Sequence, residues 1–256
     1  MNEVKIILTG AGGRMGKAVA ASAKASGKIN IVAAVDVNPM QSEFPFYTGI
    51  SEVSTELGAD VIVDFSHHTA ISGIINYAKA AKCAILICTT GHTEDELKMI
   101  NEAASEIPVF RSGNMSLGIN LLMSLVRKAA SVLKGFDIEI IEKHHNRKLD
   151  APSGTALMLA KAASDGVEYD PEMVYDRHSV RAERSKTEIG IHSVRGGTIV
   201  GEHDVIFAGQ NEVVTLSHHA ESREVFATGA VYAALFMKGK SAGIYDMNDV
   251  IDELLK

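Results

Sequence analysis

The sequence predicts an α/β fold: a Rossmann-type doubly wound parallel sheet, plus a second α+β domain with a mixed sheet. Three observations support this prediction. A short apolar run at residues 4–9 leads into a glycine-rich loop and then a helical segment. Apolar runs and helical segments then alternate as far as residue 116, which favours parallel strands with right-handed crossovers. From residue 189 onward, three strand-like segments, at residues 189–195, 198–207 and 211–218, are separated by glycine turns and indicate an antiparallel or mixed sheet.

This pattern predicts three stretches of chain. Residues 1–116 form a first domain, residues 117–224 a second domain, and residues 225–256 a C-terminal segment that returns to the first domain. The mixed sheet has a broad face available for packing, so we expect a homo-oligomer.

Composition excludes several classes of protein. The 256 residues are 46% hydrophobic and 22% charged, which is ordinary for a globular chain. A net charge of −7 gives no general basic surface, so we expect no nucleic-acid partner. The chain begins without a basic leader, and its longest apolar stretch, residues 230–237, is too short to span a bilayer. Cys83 and Cys88 share one apolar run and resemble buried small hydrophobes. We therefore expect a cytoplasmic protein with no membrane association.

The glycine loop, Gly-Ala-Gly-Gly-Arg-Met-Gly at residues 10–16, predicts a dinucleotide site. The strict G-x-G-x-x-G pattern fails at Met15, but G-x-x-G-x-x-G fits Gly10, Gly13 and Gly16. A second apolar run at residues 29–35 ends at Asp36, where a carboxylate can accept both ribose hydroxyls of an adenosine. The alternative is a merely structural glycine turn.

Asp36 also predicts which nicotinamide cofactor is preferred. Its charge would repel a 2′-phosphate, and residues 37–40 offer no arginine or lysine to offset it. We therefore expect NADH to be favoured over NADPH, with Arg14 or Lys17 able to weaken that preference.

Further strand ends, at residues 61–66, 84–91 and 109–116, should meet at the same edge of the sheet. Ligands of such sheets lie beyond the carboxyl ends of the strands, so Phe65, Thr89, Thr90 and Gly91 are placed to touch a cofactor. Asn114 is placed to hold the nicotinamide ribose or amide. Each turn taken alone is also compatible with a plain surface loop.

The segment Glu-Lys-His-His-Asn-Arg-Lys-Leu-Asp-Ala-Pro-Ser-Gly-Thr, at residues 142–155, predicts an anion site between a strand and a helix. Asp150 or Ser153 can cap the helix, and Pro152 suits its first turn. The amides near Gly154 and Thr155 would then favour a carboxylate or phosphate.

Cationic and proton-donating side chains of the same segment strengthen this hypothesis. Lys148 and Arg147 reinforce the positive sign, and at most one of His144 and His145 faces the ligand if the strand continues through both. The alternative is a solvated basic turn.

The ten histidines do not form a recognisable metal motif. Pairs such as His67 with His68 and His218 with His219 lack the spacing of zinc sites, and both cysteines lie in a strand. We therefore expect no metal.

On residues 142–155 and 10–16 together, the chain resembles the 4-hydroxy-tetrahydrodipicolinate reductase family, also called the dihydrodipicolinate reductase family. The likeness runs from end to end, through residues 64–66, 89–91, 114–120, 194–203 and 226–230. It implies a Rossmann domain, a mixed-sheet substrate domain that forms a homotetramer, and reduction of a small dicarboxylate by NADH or NADPH in diaminopimelate and lysine biosynthesis.

The resemblance also implies roles for single residues. His144 matches the catalytic histidine, Lys148 the proton donor, and His145 a substrate-binding neighbour, while Ser153, Gly154 and Thr155 start the helix that holds a substrate carboxylate. The implied cofactor contacts are Gly10, Ala11, Gly12, Gly13, Arg14, Met15, Asp36, Cys88, Thr89, Thr90, Ser112, Gly113, Asn114 and Met115.

The chain departs from the family pattern at a few positions. It has Asn146-Arg147 where the family commonly has Arg-His, Cys88 in place of glycine, and Met115 in place of phenylalanine. These departures bear on substrate affinity and on the shape of the nicotinamide pocket, and they leave the class of reaction unchanged.

Two other functions fit parts of the sequence. The chain can be another two-domain nicotinamide-dependent enzyme, such as an amino-acid or semialdehyde dehydrogenase, or a non-catalytic dinucleotide sensor. A sensor has little use for the cluster around Lys148 and Thr155. We also expect the two domains to close around their ligands by a hinge near residues 115–118 and 222–226.

Overall fold

The computed structural model describes residues 3–255 of the chain. Within that part, the strands are β1 (Val4–Thr9), β2 (Ile29–Val35), β3 (Phe46–Tyr47), β4 (Val61–Asp64), β5 (Ala84–Ile87), β6 (Pro108–Arg111), β7 (Asp137–His144), β8 (Glu172–Val174), β9 (Glu188–Arg195), β10 (Gly201–Ala208), β11 (Val213–Ala220) and β12 (Gly243–Tyr245). The α-helices there are α1 (Arg14–Ser26), α2 (Ile71–Ala81), α3 (Glu94–Ala103), α4 (Leu117–Val132), α5 (Gly154–Ser164), α6 (Glu224–Met237) and α7 (Met247–Leu254).

The chain divides into two compact units. The first unit comprises Met1–Leu117 with Glu224–Lys256, and the second unit comprises Gly118–Arg223. The first unit contains a parallel sheet with strand order β12-β6-β5-β4-β1-β2-β3.

Strands of this sheet are buried on both faces. In β1, Ile6 and Leu8 pack into a cluster with residues of α1 and α6, whereas Ile7 packs into a second cluster with residues of α2 and α3. Such continuous apolar strands are typical of parallel sheets covered by helices on both sides. Each fully buried aliphatic side chain contributes about 1.5–3 kcal/mol to folding.

Two glycines allow the first loop to pack closely. Gly10 has a φ of +70°, and a Cβ built on it would lie 2.3 Å from the carbonyl oxygen of Phe65. A Cβ on Gly16 would lie 2.2 Å from the carbonyl oxygen of Gly10. The first turn of α1 therefore packs against the loop that precedes it, which no larger residue at position 16 permits.

The second unit contains a mixed sheet with strand order β11-β10-β7-β9-β8. The strands β7, β9 and β8 are parallel, and β10 is antiparallel to both of its neighbours. Helices α4 and α5 cover one face, where Ile138 and Ile140 of β7 pack with Leu159 of α5. Glu142 and His144 follow on the same face because side chains alternate along a strand.

The predicted fold class is confirmed, with differences at the edges. Strand β10 begins at Gly201 rather than at residue 198, and β11 spans Val213–Ala220 rather than residues 211–218. The short strands β3, β8 and β12 were not predicted. Among the described residues, no helix is both long enough and apolar enough to cross a bilayer.

Candidate active site

In the first unit, the loop between β1 and α1 borders a cavity of about 480 Å³. Gly10 and Gly13 of the loop line this cavity, together with Asp36 at the tip of β2 and Phe65 directly after β4. The structure therefore brings four of the predicted cofactor residues to one cavity.

The loop has the features that phosphate groups of a dinucleotide require. Gly13 is the N-cap of α1 and makes no side-chain capping bond, so the positive end of the helix dipole lies at this loop. The amide of Gly13 donates to the carbonyl of Gly10 across 3.1 Å, which closes a tight turn. These residues fit a pyrophosphate, since backbone can approach a ligand closely where glycines carry no Cβ.

Asp36 is fixed in place by backbone amides. Gly12 N–H donates to Oδ2 of Asp36 across 2.9 Å, and Asn38 N–H donates to Oδ1 across 3.0 Å. Each carboxylate oxygen has a second lone pair, so both can still accept a ribose hydroxyl.

The ends of β5 and β6 carry the other predicted cofactor residues. Thr89 Oγ1 lies 3.4 Å from both the Asp64 and the Ser66 carbonyl oxygens, which it can approach as a donor. Burial, with the charge of Asp64 nearby, raises the pKa of the Cys88 thiol well above its usual value, so Cys88 is a neutral thiol.

The loop after β6 is held by its own hydrogen bonds. Ser112 Oγ donates to the Asn114 carbonyl across 2.7 Å, and Asn114 Oδ1 accepts from Ser116 N–H across 2.8 Å. Met115 is buried in the core of the first unit.

Most predicted cofactor residues do not line the cavity. Those outside its lining are Ala11, Gly12, Arg14, Met15, Cys88, Thr89, Thr90, Ser112, Gly113, Asn114 and Met115. The cavity lies at the ends of β1, β2 and β4, whereas residues 88–90 and 112–115 follow β5 and β6 further along the same sheet.

Sequence reasoning missed several residues that line the cavity. Thr48, Ile50, His67 and Thr69 border it without having been predicted. Thr48 follows β3, which pairs with β2 and whose Tyr47 carbonyl accepts from Asp36 N–H at 3.2 Å. A two-residue strand has no periodicity to detect, whereas His67 and Thr69 follow a predicted strand end and were within reach of the same reasoning.

In the second unit, the predicted strand-to-helix loop is present between β7 and α5. Strand β7 ends at His144, and α5 begins at Gly154 with Ser153 as its N-cap. Ser153 Oγ accepts from Ala156 N–H across 3.1 Å. Ser153 is therefore the cap rather than Asp150, and Pro152 precedes the cap rather than lying in the first turn.

A buried carboxylate, Glu142, organises the end of β7. Arg195 donates to it through two nitrogens, at 2.7 and 2.8 Å, and His144 Nδ1 lies 2.6 Å from its Oε2. Burial alone would raise the pKa of Glu142, but hydrogen bonds from Arg195, Ser193 and His144 outweigh burial and lower the pKa to about 2. Glu142 is therefore an anion at neutral pH.

Lys148 and His145 have polar partners of their own. Lys148 Nζ lies 2.8 Å from Asp150 Oδ1, and that hydrogen bond is the main cause of a lowered Asp150 pKa. His145 Nε2 lies 3.3 Å from an Arg223 nitrogen. Burial, followed by the cations Arg223 and Arg147, lowers the pKa of His145, which favours its neutral form.

His203 of β10 lies beside this group. Its Nε2 is 3.0 Å from Ser153 Oγ, and its ring centroid is 5.2 Å from that of His144. Burial, with a further contribution from His144, lowers the pKa of His203 to about 4. Together, Lys148, His144 and the positive end of α5 can bind a carboxylate and deliver a proton.

Sequence reasoning assigned no role to Glu142, Arg195 and His203. A signal was present for Glu142, because a carboxylate two residues before a histidine falls on the same face of a strand. Arg195 and His203 approach it only through strand pairing across more than fifty residues of sequence. No group of three or more His, Cys, Asp or Glu side chains within residues 3–255 is arranged to hold a metal ion.

Comparisons with known proteins agree over nearly the whole length of the chain. The family models described as "Dihydrodipicolinate reductase, N-terminus" and "Dihydrodipicolinate reductase, C-terminus" match residues 4–115 and 118–251. A 4-hydroxy-tetrahydrodipicolinate reductase from Caldanaerobacter subterraneus subsp. tengcongensis is 54% identical over 248 residues, which are 97% of this chain and 98% of that protein.

Two further relatives extend this similarity. A 4-hydroxy-tetrahydrodipicolinate reductase from Clostridium tetani is 46% identical over 251 residues, 97% of each chain. A dipicolinate-bound dihydrodipicolinate reductase from Paenisporosarcina sp. TG-14 shares the fold, with a TM-score of 0.80 and 22% identity over 96% of this chain and 99% of that one. The chain belongs to the dihydrodipicolinate reductase family, whose members are NAD(P)H-dependent reductases.

Proposed function

We propose that the chain catalyses the NAD(P)H-dependent reduction of (2S,4S)-4-hydroxy-2,3,4,5-tetrahydrodipicolinate to tetrahydrodipicolinate. This reaction belongs to lysine biosynthesis through diaminopimelate, in the cytoplasm. The observation that carries the proposal is the loop between β7 and α5, which combines His144, Lys148 and a helix start in a chain of this family. The names of the two reductases from Caldanaerobacter and Clostridium, and the dipicolinate in the related structure, support the same substrate class.

Binding of the substrate is assigned to the start of α5. The substrate is a ring with two carboxylates, and the positive end of a helix dipole stabilises an anion by about 0.3–1 kcal/mol, or more where it is partly buried. Ser153, Gly154 and Thr155 surround that helix start. Lys148 and His145 supply a charge-assisted donor and a neutral imidazole on the loop that leads to it.

When bound, a reduced nicotinamide would supply a hydride to a conjugated C=C–C=N system, which forms from the hydroxylated ring by loss of water. The ring then carries an enamine-like anion that must gain a proton at the carbon next to the one reduced. Lys148 donates that proton, with His144 as its partner or as a general acid. One hydride and one proton thus convert the ring to the product imine.

Cofactor binding is assigned to the glycine loop, Asp36 and the strand ends of the first unit. A negative carboxylate at the tip of β2, without a basic residue at positions 37–40, disfavours the 2′-phosphate of NADPH. NADH is therefore the proposed preferred cofactor. The assembly proposed is a homotetramer, formed through the mixed sheet of the second unit.

A coupled assay tests this function. Freshly generated hydroxy-tetrahydrodipicolinate is supplied to the enzyme, and the absorbance of NADH or NADPH is followed. We expect oxidation of the cofactor that depends on this substrate. Turnover of an amino acid or a semialdehyde instead would favour another dehydrogenase of the same architecture, and NADH binding without any turnover would favour a sensor.

A further inference from the structure

The carboxylate of Glu142 is fully buried, and the proposed mechanism does not use it. Glu142 has no exposed surface, and it lies two residues before His144 on the helix-covered face of the second unit's sheet. Its two oxygens accept from both terminal nitrogens of Arg195 at 2.7 and 2.8 Å, and from Ser153 N–H at 3.1 Å. The contact with His144 Nδ1 is shorter, at 2.6 Å.

This contact determines which nitrogen of His144 carries a hydrogen. An ionised carboxylate only accepts hydrogen bonds, so Nδ1 must be the donor. In the neutral ring, Nε2 is then the unprotonated nitrogen, and it is the atom that gains or loses a proton during a reaction.

The opposite end of the ring is kept clear by a glycine. Gly201 of β10 lies beside His144, and a Cβ built on Gly201 would be 3.1 Å from Nε2. Any side chain at position 201 would crowd the reactive nitrogen. Glu142 on one side and Gly201 on the other thus give the ring one anchored end and one clear end.

The Glu142–Arg195 pair also contacts the segment that carries Lys148, the proposed proton donor. Arg195 donates to the carbonyl of Asp150 across 2.7 Å, and the side chain of Asp150 holds Lys148 Nζ at 2.8 Å. The bond from Ser153 N–H ties the N-cap of α5 to the same carboxylate. One ion pair therefore connects the anchored ring of His144, the partner of Lys148 and the start of the anion-binding helix.

We propose that Glu142, held by Arg195, is a positioning residue that fixes His144 in its Nδ1–H form and aligns residues 150–153 with it. This proposal rests on the proposed reductase function for its effect on turnover, but its effect on the imidazole does not depend on the substrate. A buried ion pair is weak evidence for stability, because desolvation offsets the attraction. The Glu142–Arg195 ion pair is therefore better explained by its alignment of three groups than by a contribution to stability.

Glu142→Gln removes the charge and keeps the shape of the side chain. Because an amide can either donate or accept, it no longer dictates the tautomer of His144. We expect kcat to fall at least about 10-fold, as when a histidine-orienting carboxylate is replaced in other enzymes. The KM for NADH should stay within about 2-fold, because the residues assigned to the cofactor belong to the first unit.

Glu188→Gln is the matched control. Glu188 is also a buried carboxylate in the second unit, it pairs with Arg177, and it lies at the opposite end of β9 from Arg195. Each variant loses a buried charge that is paired with an arginine, so the stability of both should be affected. Loss of turnover should be specific to Glu142→Gln. Equal kcat values in the two variants would overturn the proposal.

Nitrogen-15 NMR of ring-labelled histidine reads the tautomer directly, with the His144 signals assigned by their absence in His144→Gln. We expect wild-type protein without substrate to show Nδ1 protonated in the neutral ring, and Glu142→Gln to show a changed tautomer ratio. A neutral wild-type ring protonated at Nε2 would overturn the proposal, even if Glu142→Gln does not fold. Should the wild-type enzyme fail to turn over the proposed substrate, only the reaction would be wrong, and the NMR result would still decide the role of Glu142.

Discussion

At the scale of single residues, the proposed site contains pairs of groups that hold each other in a fixed position. Asp150 holds the ammonium of Lys148, and Glu142 holds the ring of His144. In the other unit, amides of residues 12 and 38 hold the carboxylate of Asp36. Each of these three side chains therefore has a fixed partner before any ligand binds, which would lower the entropic cost of a productive geometry.

Removal of the proposed proton donor should affect chemistry and leave cofactor binding intact. We expect Lys148→Ala, and likewise His144→Ala, to lower kcat about 100-fold or more, the usual contribution of a positioned acid or base. The affinity for NADH, measured by fluorescence titration, should be nearly unchanged.

Lys161→Ala is a matched control for Lys148→Ala. Lys161 lies on α5 of the same unit and is also paired with an aspartate, Asp165, but it is exposed and outside the site. Its kcat should equal that of the wild type. A Lys148→Ala enzyme with near-normal turnover would refute the assignment of the proton donor.

The proposed preference for NADH should depend on Asp36. In Asp36→Ala the negative charge facing a 2′-phosphate is lost, so the ratio of kcat/KM for NADPH to that for NADH should rise by about 10-fold. Glu43→Ala, which removes an exposed negative charge from the same unit, should leave this ratio unchanged. An unchanged ratio in Asp36→Ala would mean that other residues select the cofactor.

At the scale of secondary-structure elements, β10 and α5 are linked through one buried histidine. His203 of β10 contacts Ser153, the N-cap of α5, and faces His144, Glu142, His218 and Lys148. Its pKa of about 4 lies below the usual value of 6.5. The folded protein therefore favours a neutral ring at this position.

This burial predicts a loss of stability in mild acid. Because the pKa is lower in the folded state, the unfolded chain binds the proton first, so stability is fully present above pH 6.5 and is lost as the pH falls toward 4. Between pH 7 and pH 5 the contribution of His203 should fall by about 2 kcal/mol.

Urea unfolding at the two pH values measures this effect. In His203→Gln, which retains a hydrogen-bonding group, the decrease in unfolding free energy between pH 7 and pH 5 should be smaller by about that amount. His178→Gln replaces an exposed histidine and serves as the control. Equal decreases in His203→Gln and the wild type would show that His203 is not buried in its neutral form.

The elements with a strong local pattern were the ones that sequence could predict. The continuous apolar runs of β1 and β2 and the helical composition of α5 are local properties, so their types and approximate bounds could be predicted. Strands β3, β8 and β12 have only two or three residues each, and they exist because a neighbouring strand pairs with them. No local window contains that information.

Prediction of the site has the same limit: contiguous motifs can be recognised in sequence, but contacts between distant residues cannot. The glycine loop and residues 142–155 are contiguous motifs, and sequence placed both at the turns where the structure has them. The Glu142–Arg195 pair joins residues more than fifty positions apart, and it depends on the register between β7 and β9. A buried charge of this kind looks, in sequence, like any other charge on an alternating strand.

At the scale of the whole molecule, the proposed tetramer can be tested separately from activity. The mixed sheet of the second unit has helices on one face, and the alternate side chains of β7 and β10 on its other face are partly exposed. We expect light scattering coupled to size-exclusion chromatography to give about four times the 27.4 kDa chain mass. A monomer mass at micromolar concentration would refute the assembly.

The proposed reaction needs a hydride from the cofactor, which is assigned to the first unit, and a proton from Lys148 of the second unit. NADH that carries deuterium at the transferred position, with the substrate in ordinary water, tests this reaction most directly, and the product is analysed by NMR and mass spectrometry. We predict one cofactor deuteron on the ring carbon that had carried the hydroxyl, and no deuterium on the adjacent carbon, where the proton is added. A product without cofactor deuterium, or with it on any other carbon, would contradict the proposed reaction.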